Sequence, residues 1–278
     1  MAMKISFSVV INVYQNDDPD LFVRALDSVV NQTLPADEVL VVRNGPVPQE
    51  IDTILNEYET AQDTVRILRL PETLKRGVAR HTGFLDAKYE YVAIMDADDE
   101  SRENRFDLQA AAIIGRGVDI VGGQIMEFED SSDQTQLRIV PLGHDDIMRF
   151  GRVRYPFNNV TLMFNRQKYV DLNYCQSGIL LEDYDLYAEL VEAEWVFGNV
   201  EQVLVDVRAG AAQHARRRGW AYFAEELEVQ KKFWRIGYIG NIRFLSNVII
   251  RAMARLLMPS WLMTPMVNLS LRHTKRRS

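Results

Sequence analysis

The chain has 278 residues, 47% of them hydrophobic, which is enough for one large α/β domain with a small appendage or at most two domains. Its single cysteine, Cys175, excludes an internal disulfide framework and a cysteine-based zinc site, so a reducing compartment, the cytoplasm, is expected. The net charge of −7 divides unevenly: residues 1–207 carry −18, and residues 208–278 carry +11. A basic end on an acidic body points to an anionic membrane surface or a polyphosphate ligand, and no nucleic-acid partner is expected.

Met1 to Val13 runs directly into a strand-like segment, so no secretory signal is expected. Ile5–Val13 is a continuous β-rich run, and Asn16-Asp17-Asp18-Pro19 supplies a helix start. Phe22, Ala25, Leu26, Val29 and Val30 then recur at helical spacing. Glu38–Val42 reads as a second strand, Asn44-Gly45-Pro46 as a turn and Gln49–Tyr58 as a helix. Val65–Leu70, the helix Lys75–Ala87 and the strand Tyr91–Met95 follow, so strand and helix alternate four times. This is the pattern of a nucleotide-binding α/β sheet.

The fourth strand ends in Asp96-Ala97-Asp98-Asp99. It lifts three carboxylates to the carboxyl end of a buried strand, where open α/β sheets bind ligands. Two acids one residue apart point to the same side of an extended chain, a geometry suited to a hard divalent ion shared with substrate phosphates. The competing reading is an acidic surface turn that caps the next helix, since Ser101 and Glu103–Gln109 read as a helix start.

The second half is less regular. Ile120–Phe128, Leu137–Val140, Val160–Phe164 and Val203–Val207 read as strands, and Asp183–Glu194 as a helix. Beyond Gly219 the pattern is mainly helical. Ile239, Ile242, Leu245, Val248, Ile249, Ala252, Met253 and Leu256 form an apolar stripe, with Arg243, Arg251 and Arg255 on the other side. Leu256–Leu271 is uncharged but short for a membrane span and broken by Pro259 and Pro265. With Trp261 inside it and Arg272, Lys275, Arg276 and Arg277 after it, it reads either as an interfacial segment on the cytoplasmic leaflet or as a helix packed on the domain or in a homodimer.

Several motifs in order resemble family 2 glycosyltransferases. They are Ser8–Tyr14, Ala25–Thr33, Glu38–Val42, Arg76–Gly83 as a shortened form of the family's Arg-Gly helix start, Asp96–Asp99, and Glu182-Asp183-Tyr184-Asp185. Pro156–Thr161 and Val205–Gly210 are similar to the bacterial exopolysaccharide and O-antigen subgroup of the amylovoran-biosynthesis type. The resemblance implies a GT-A fold, a Rossmann-like mixed sheet flanked by helices, over residues 1–210. A mobile basic loop and a helical extension would occupy residues 211–278.

It also implies an inverting, nonprocessive transfer of a sugar from a nucleotide diphosphate sugar, a UDP-sugar favoured, to a glycan or lipid-linked oligosaccharide. Mn²⁺ or Mg²⁺ would be held by Asp98, with Asp96 at the metal or the ribose, and Asp183 or Glu182 would act as base, the other orienting the acceptor. Arg76 would lie near the base or diphosphate, and Val13 and Tyr14 would either flank the base or belong to the core. The family's acidic pair after the second strand is replaced by Arg43-Asn44, so either Asn44 accepts the uracil imide or the base is not uracil. Arg216 and Arg217, in a loop with His214, would clamp diphosphate. The alternative is a non-catalytic nucleotide-sugar or glycan-binding member of the fold.

Overall fold

A computed structural model describes residues 5–128, 134–174, 181–208, 219–257 and 272–276. Four strands, β1 (Phe7–Val13), β2 (Glu38–Arg43), β3 (Val65–Arg69) and β4 (Tyr91–Asp96), alternate with α1 (Pro19–Val30), α2 (Gln49–Ala61) and α3 (Arg76–Asp86). These strands pair in parallel in the order β4-β1-β2-β3. The start of α1 is set by Asp18, whose carboxylate accepts the N–H groups of Asp20 and Leu21, with Pro19 next in the chain.

Alternation along β1 sends Val9, Ile11 and Val13 to one face, against α1, α2 and α4 (Arg105–Arg116). Val10 goes to the other face, with Leu40, Val42 and Ile94, against α3 and the later helices. Both faces are therefore covered, which is why the strands read as continuous apolar runs. A methyl group on Gly83 would meet Val10 Cγ1 and Val42 Cγ2, each at 2.7 Å, so α3 lies closer to the sheet than a side chain there permits.

The other half extends the sheet with mixed pairing. β6 (Ile120–Phe128) pairs antiparallel with β7 (Gln134–Arg138) and β8 (Met163–Asn165), and β8 joins it to β4. β5 (Glu100–Ser101) and β9 (Phe197–Arg208) pair antiparallel with each other, and β9 lies parallel to β6. The strand expected at Val203 thus begins six residues earlier. Exposed Glu201 and Gln202 interrupt its apolar pattern where the register with β6 shifts around Gln124.

The strand expected over Val160–Phe164 is instead a 3₁₀ turn, Asn159–Thr161, before β8, because Thr161 bonds Asn158 O through both its N–H and its hydroxyl. β7 stops at Arg138, and Val140 N–H donates to the Gln124 side chain.

Helices α5 (His144–Gly151), α6 (Arg166–Asp171), α7 (Glu182–Glu192), α8 (Trp220–Arg235) and α9 (Asn241–Ala252) complete the helical layers, and Met253–Leu257 continues α9 as a π-helical turn. Two findings depart from the expected helical extension. Arg272–Arg276 forms a strand, β10, antiparallel to β7, so the chain returns to the same sheet. The stripe on α9 faces outward: Ile242, Leu245 and Ile249 are exposed, whereas Asn247 is buried and Arg251 and Arg255 turn inward.

No helix among the described residues is long and apolar enough to cross a membrane. Residues 258–271, most of the expected interfacial segment, lie outside the described residues.

Candidate active site

The parallel strands deliver their carboxyl ends to one edge. Register places Asn12 of β1 beside Asp96 of β4, and the start of α3 lies next to both, with Asn12 Nδ2 donating to Arg76 O at 3.4 Å. Arg76 and Arg80 are one helical turn apart on α3 and reach the same carboxylate. Arg76 Nη2 lies 2.6 Å from Asp96 Oδ2 and Arg80 Nη2 lies 2.6 Å from Asp96 Oδ1. Burial pushes the Asp96 carboxyl up, but the two guanidiniums outweigh it and hold the group at about 2. Asp96 is therefore ionised, with each of its oxygens paired to an arginine of α3.

The helix-capping reading of these acids does not hold. Glu100 and Ser101 are in strand pairing with Asp206 and Val205, and α4 starts only at Arg105 with no side-chain cap. The carboxylates occupy the short turn between β4 and β5 at the site edge. Burial, then the neighbouring Asp96, raises Asp98. Asp99 is raised well above the ordinary range by burial and by both neighbours, and it accepts the Arg208 N–H at 2.9 Å.

A further acid joins them, one that motif reasoning passed over as part of a helix start. Asp17 accepts the Tyr14 N–H at 2.9 Å, and burial followed by the Asp98 charge pushes it up to about 6. Asp17 and Asp98 are acids whose charges disfavour each other, an electrostatic setting that favours a cation between strand β1 and the turn after β4. Among the described residues no three His, Cys, Asp or Glu side chains close into a metal cage. That donor set fits a hard cation held by one or two carboxylates together with substrate phosphates, the habit of Mg²⁺, rather than a protein-only site.

The pH consequence has a defined sign. A carboxyl whose folded pKa is raised costs nothing below its unfolded value, destabilises progressively as pH rises from the unfolded value to the folded one, and adds no further loss above it. Between pH 5 and 7.5 without divalent ions, Asp17 is expected to remove at most about 1.4 kcal/mol of stability, the part of the loss that remains above pH 5, and less after solvent screening. Asp96, held at about 2, is silent in this window. The thermal midpoint of Asp17→Asn should fall less over that range than that of the unaltered protein; equal slopes would rule the assignment out.

Across the cleft, α7 opens with Glu182, Asp183 and Asp185 in its first turn, where the helix dipole favours negative charge. Asp185 is tied down structurally, accepting from Tyr174 Oη and Lys232 Nζ, each at 2.8 Å. Glu182 Oε1 lies 3.9 Å from Arg80 Nη1, and burial, then Asp183, raises its carboxyl. Arg80, 7% exposed, thus stands between the acids of β4 and those of α7. Asp183 lines a small apolar cavity with Tyr155, Tyr169 and Leu186. Burial, then the Asp183 charge, raises the Tyr155 phenol well above its ordinary range, keeping it protonated.

Other expected contacts are redistributed. Val13 is fully buried, so its side chain belongs to the core, whereas Tyr14 is 40% exposed beside the site. Asn44 is buried, and its amide exchanges two hydrogen bonds with Leu74: Nδ2 donates to Leu74 O at 2.9 Å and Oδ1 accepts Leu74 N–H at 2.8 Å. It clamps the loop before α3 with both amide atoms engaged, so the uracil imide of a UDP donor would have to be read by another group, a third possibility beside the two read from the sequence. Arg43 forms a two-point ion pair with Asp52, at 2.7 and 3.0 Å. His214, Arg216 and Arg217 lie outside the described residues. Arg80 was within reach of sequence reasoning, since Arg76 and Arg80 have the i,i+4 spacing that puts two side chains on one helix face.

Residues 8–176 match the family described as Glycosyl transferase family 2. The chain belongs to the family 2 glycosyltransferases. It is 30% identical over 252 residues to the amylovoran biosynthesis glycosyltransferase AmsE of Erwinia amylovora, covering 90% of this chain and 94% of that protein. It is 29% identical over 257 residues to an Escherichia coli UDP-Gal:alpha-D-GlcNAc-diphosphoundecaprenol beta-1,3-galactosyltransferase, covering 92% and 93%. The structure of S. aureus TarS 1-349 in complex with UDP-GlcNAc matches this family 2 chain with a TM-score of 0.68 at 15% identity, over 90% of this chain and 73% of that one. The architecture of this glycosyltransferase is thus the GT-A fold.

Proposed function

We propose that this glycosyltransferase moves a sugar, with inversion and one residue at a time, from a UDP-sugar to a hydroxyl of a lipid-linked oligosaccharide in bacterial surface polysaccharide assembly. The observation that carries the reading is the arginine-linked pair of acid clusters: Asp96 and Asp98 at the end of β4 on one side, Glu182 and Asp183 at the start of α7 on the other, with Arg80 between them. The uridine and lipid elements rest on likeness, to the relative named for UDP-Gal and diphosphoundecaprenol and to a fold neighbour that binds UDP-GlcNAc.

In this reading Asp183 removes the proton from the acceptor hydroxyl. That oxygen bonds to the anomeric carbon as the bond from the same carbon to the diphosphate breaks on the opposite face, and the nucleoside diphosphate departs. Asp98 and Asp17 would hold Mn²⁺ or Mg²⁺, which when bound supplies positive charge for the leaving diphosphate. Arg76, its side chain largely exposed beside Asp96, turns its charge toward the same phosphates, and Tyr14 offers a ring face to the base. Glu182, 3.9 Å from Arg80, is placed to orient the acceptor, and Asp183, which lines the cavity with Tyr155 and Leu186, is assigned as the base. The Arg43-Asn44 departure gives no support to a non-catalytic protein, because both side chains are spent on internal contacts.

The test is nucleotide release from UDP-, GDP-, dTDP- and CMP-sugars with Mn²⁺ and a polyprenyl-diphosphate-linked acceptor. UDP release that depends on the metal and falls by about 100-fold or more in Asp98→Asn is expected. Release of another nucleotide would reject the donor assignment, and release unaffected by Asp98→Asn would reject the metal site.

A further inference from the structure

Helix α9 and the π-helical turn after it are amphipathic in the reverse of the usual sense. A surface helix ordinarily turns its apolar stripe to the core and its polar face to water. Here the polar face is the packed one. Asn247, 2% exposed, donates to Arg152 O at 2.8 Å and to Gln230 Oε1 of α8 at 2.7 Å. Arg255 makes a two-point ion pair with buried Glu226 of α8, at 3.0 and 2.9 Å, and lies over the Tyr222 ring. Arg251 donates to Val153 O at 2.8 Å.

These contacts hold the helix in one rotational setting and leave the apolar stripe outside. Ile242 is 89% exposed, Leu245 59% and Ile250 57%, with Ile249, Met253 and Leu256 continuing the same surface. Turning the helix over would bury the stripe only by stranding Glu226 without its cation, a costly exchange in a buried setting. Polar anchoring therefore maintains an apolar surface that is otherwise unfavourable in water, and contiguous exposed patches of this kind mark interaction sites.

The geometry points to the surface of an anionic lipid bilayer as the occupant of this face. Three observations select it. Arg243 and Arg235 are exposed at the margin of the patch, and no acidic residue occurs from Asn241 to Leu257. The segment from residue 208 onward carries +11 on a protein whose remainder carries −18, so the net positive charge that negative headgroups would attract belongs to the part of the sequence that contains α9. Trp220 and Trp234, at the two ends of α8, are exposed at 70% and 47%, and indole rings favour the boundary between headgroups and acyl chains. A second copy of the chain is disfavoured by the same charges, since a symmetric pairing would set two basic margins against each other.

Helix α9 packs on α8, which in turn packs on α7, the helix that carries the acid pair. Asn247 and Arg251 bond the backbone of Arg152 and Val153, close in sequence to Tyr155, which feels the Asp183 charge. The docking itself goes beyond the proposed reaction and is read without turnover.

The experiment is flotation of the full-length protein with vesicles of phosphatidylglycerol and phosphatidylethanolamine, alongside vesicles of phosphatidylcholine alone. The unaltered chain and the double variant Ile242→Glu/Ile249→Glu are compared, with the thermal midpoint of each recorded. The unaltered chain should bind the anionic vesicles, weaken as salt rises, and bind phosphatidylcholine poorly. The double variant should retain its thermal midpoint and lose at least about tenfold in partitioning.

Equal binding by the variant would place the contact elsewhere on the chain and overturn the proposal. So would a salt-independent dimer abolished by the two glutamates, which would assign the face to a second copy. Absence of vesicle binding, with a thermal midpoint lowered by the glutamates, would mean that the chain itself covers the face, and would equally overturn it.

Discussion

Asp183→Asn is expected to lower kcat by about 10²–10⁴-fold, the range for loss of a general base, while UDP affinity stays within about threefold. Asparagine keeps the size of the side chain and its place in the first turn of α7, so the packing around Tyr155 and Leu186 is retained. What it loses is the ability to take a proton at neutral pH. The proposed donor contacts, Asp98, Asp17 and Arg76, belong to other elements; only Arg76 feels the Asp183 charge, and it keeps its closer partner Asp96, so the effect on donor binding should be small. Steady-state kinetics with a lipid-linked acceptor, beside calorimetric UDP titration, separate the two effects. If Asp183→Asn keeps more than about a tenth of kcat while Glu182→Gln loses it, the base is Glu182 and the roles exchange.

Arg80→Met should destabilise the fold by about 3–5 kcal/mol, the cost of breaking a buried ion pair by removing one partner. Arg80 is almost fully buried and stabilises two partly buried carboxylates, Asp96 at 2.6 Å and Glu182 at 3.9 Å. Methionine fills much of the volume but leaves Glu182 without that cation and Asp96 with Arg76 alone. Urea denaturation measures the loss. Arg80→Lys, which keeps the charge but reaches both acids less well, should fall between the two. A stability change below about 1 kcal/mol for Arg80→Met would mean that water, and not the arginine, solvates these acids.

The first half of the fold was legible because its signals are local. The runs Ile5–Val13, Glu38–Val42 and Tyr91–Met95 carry β-forming residues without interruption, and Asp18-Pro19 marks a helix start that depends only on its neighbours. The second half was harder because its strands are short or bulged. Phe197–Val200 pairs with β6 across 77 residues of sequence, and nothing near Glu201 and Gln202 announces that the strand continues past them. Arg272–Arg276 is a basic segment with no strand-like apolar pattern, and it is held by pairing to β7.

At the site, the identity of the chemistry-bearing acids was present in the sequence, in Asp96-Ala97-Asp98-Asp99 and Glu182-Asp183, because motif spacing survives without coordinates. Which of them is open and which is paired was decided only in three dimensions. Asp96 is claimed by two arginines from α3, Asn44 is spent on Leu74, and Asp17 enters the cluster from a loop 79 residues before Asp96. Side-chain charge is a property of the residue, but its availability depends on partners contributed by other elements.

The amphipathic helix near the end of the chain divides in the same way. Periodicity alone determined that Ile242, Leu245, Ile249 and Met253 share one face and Arg251 and Arg255 the other. Periodicity has no sign, however: it cannot say which face is packed. Glu226 and Gln230 on α8 decided that, by offering buried polar partners that only the arginine and asparagine face could satisfy.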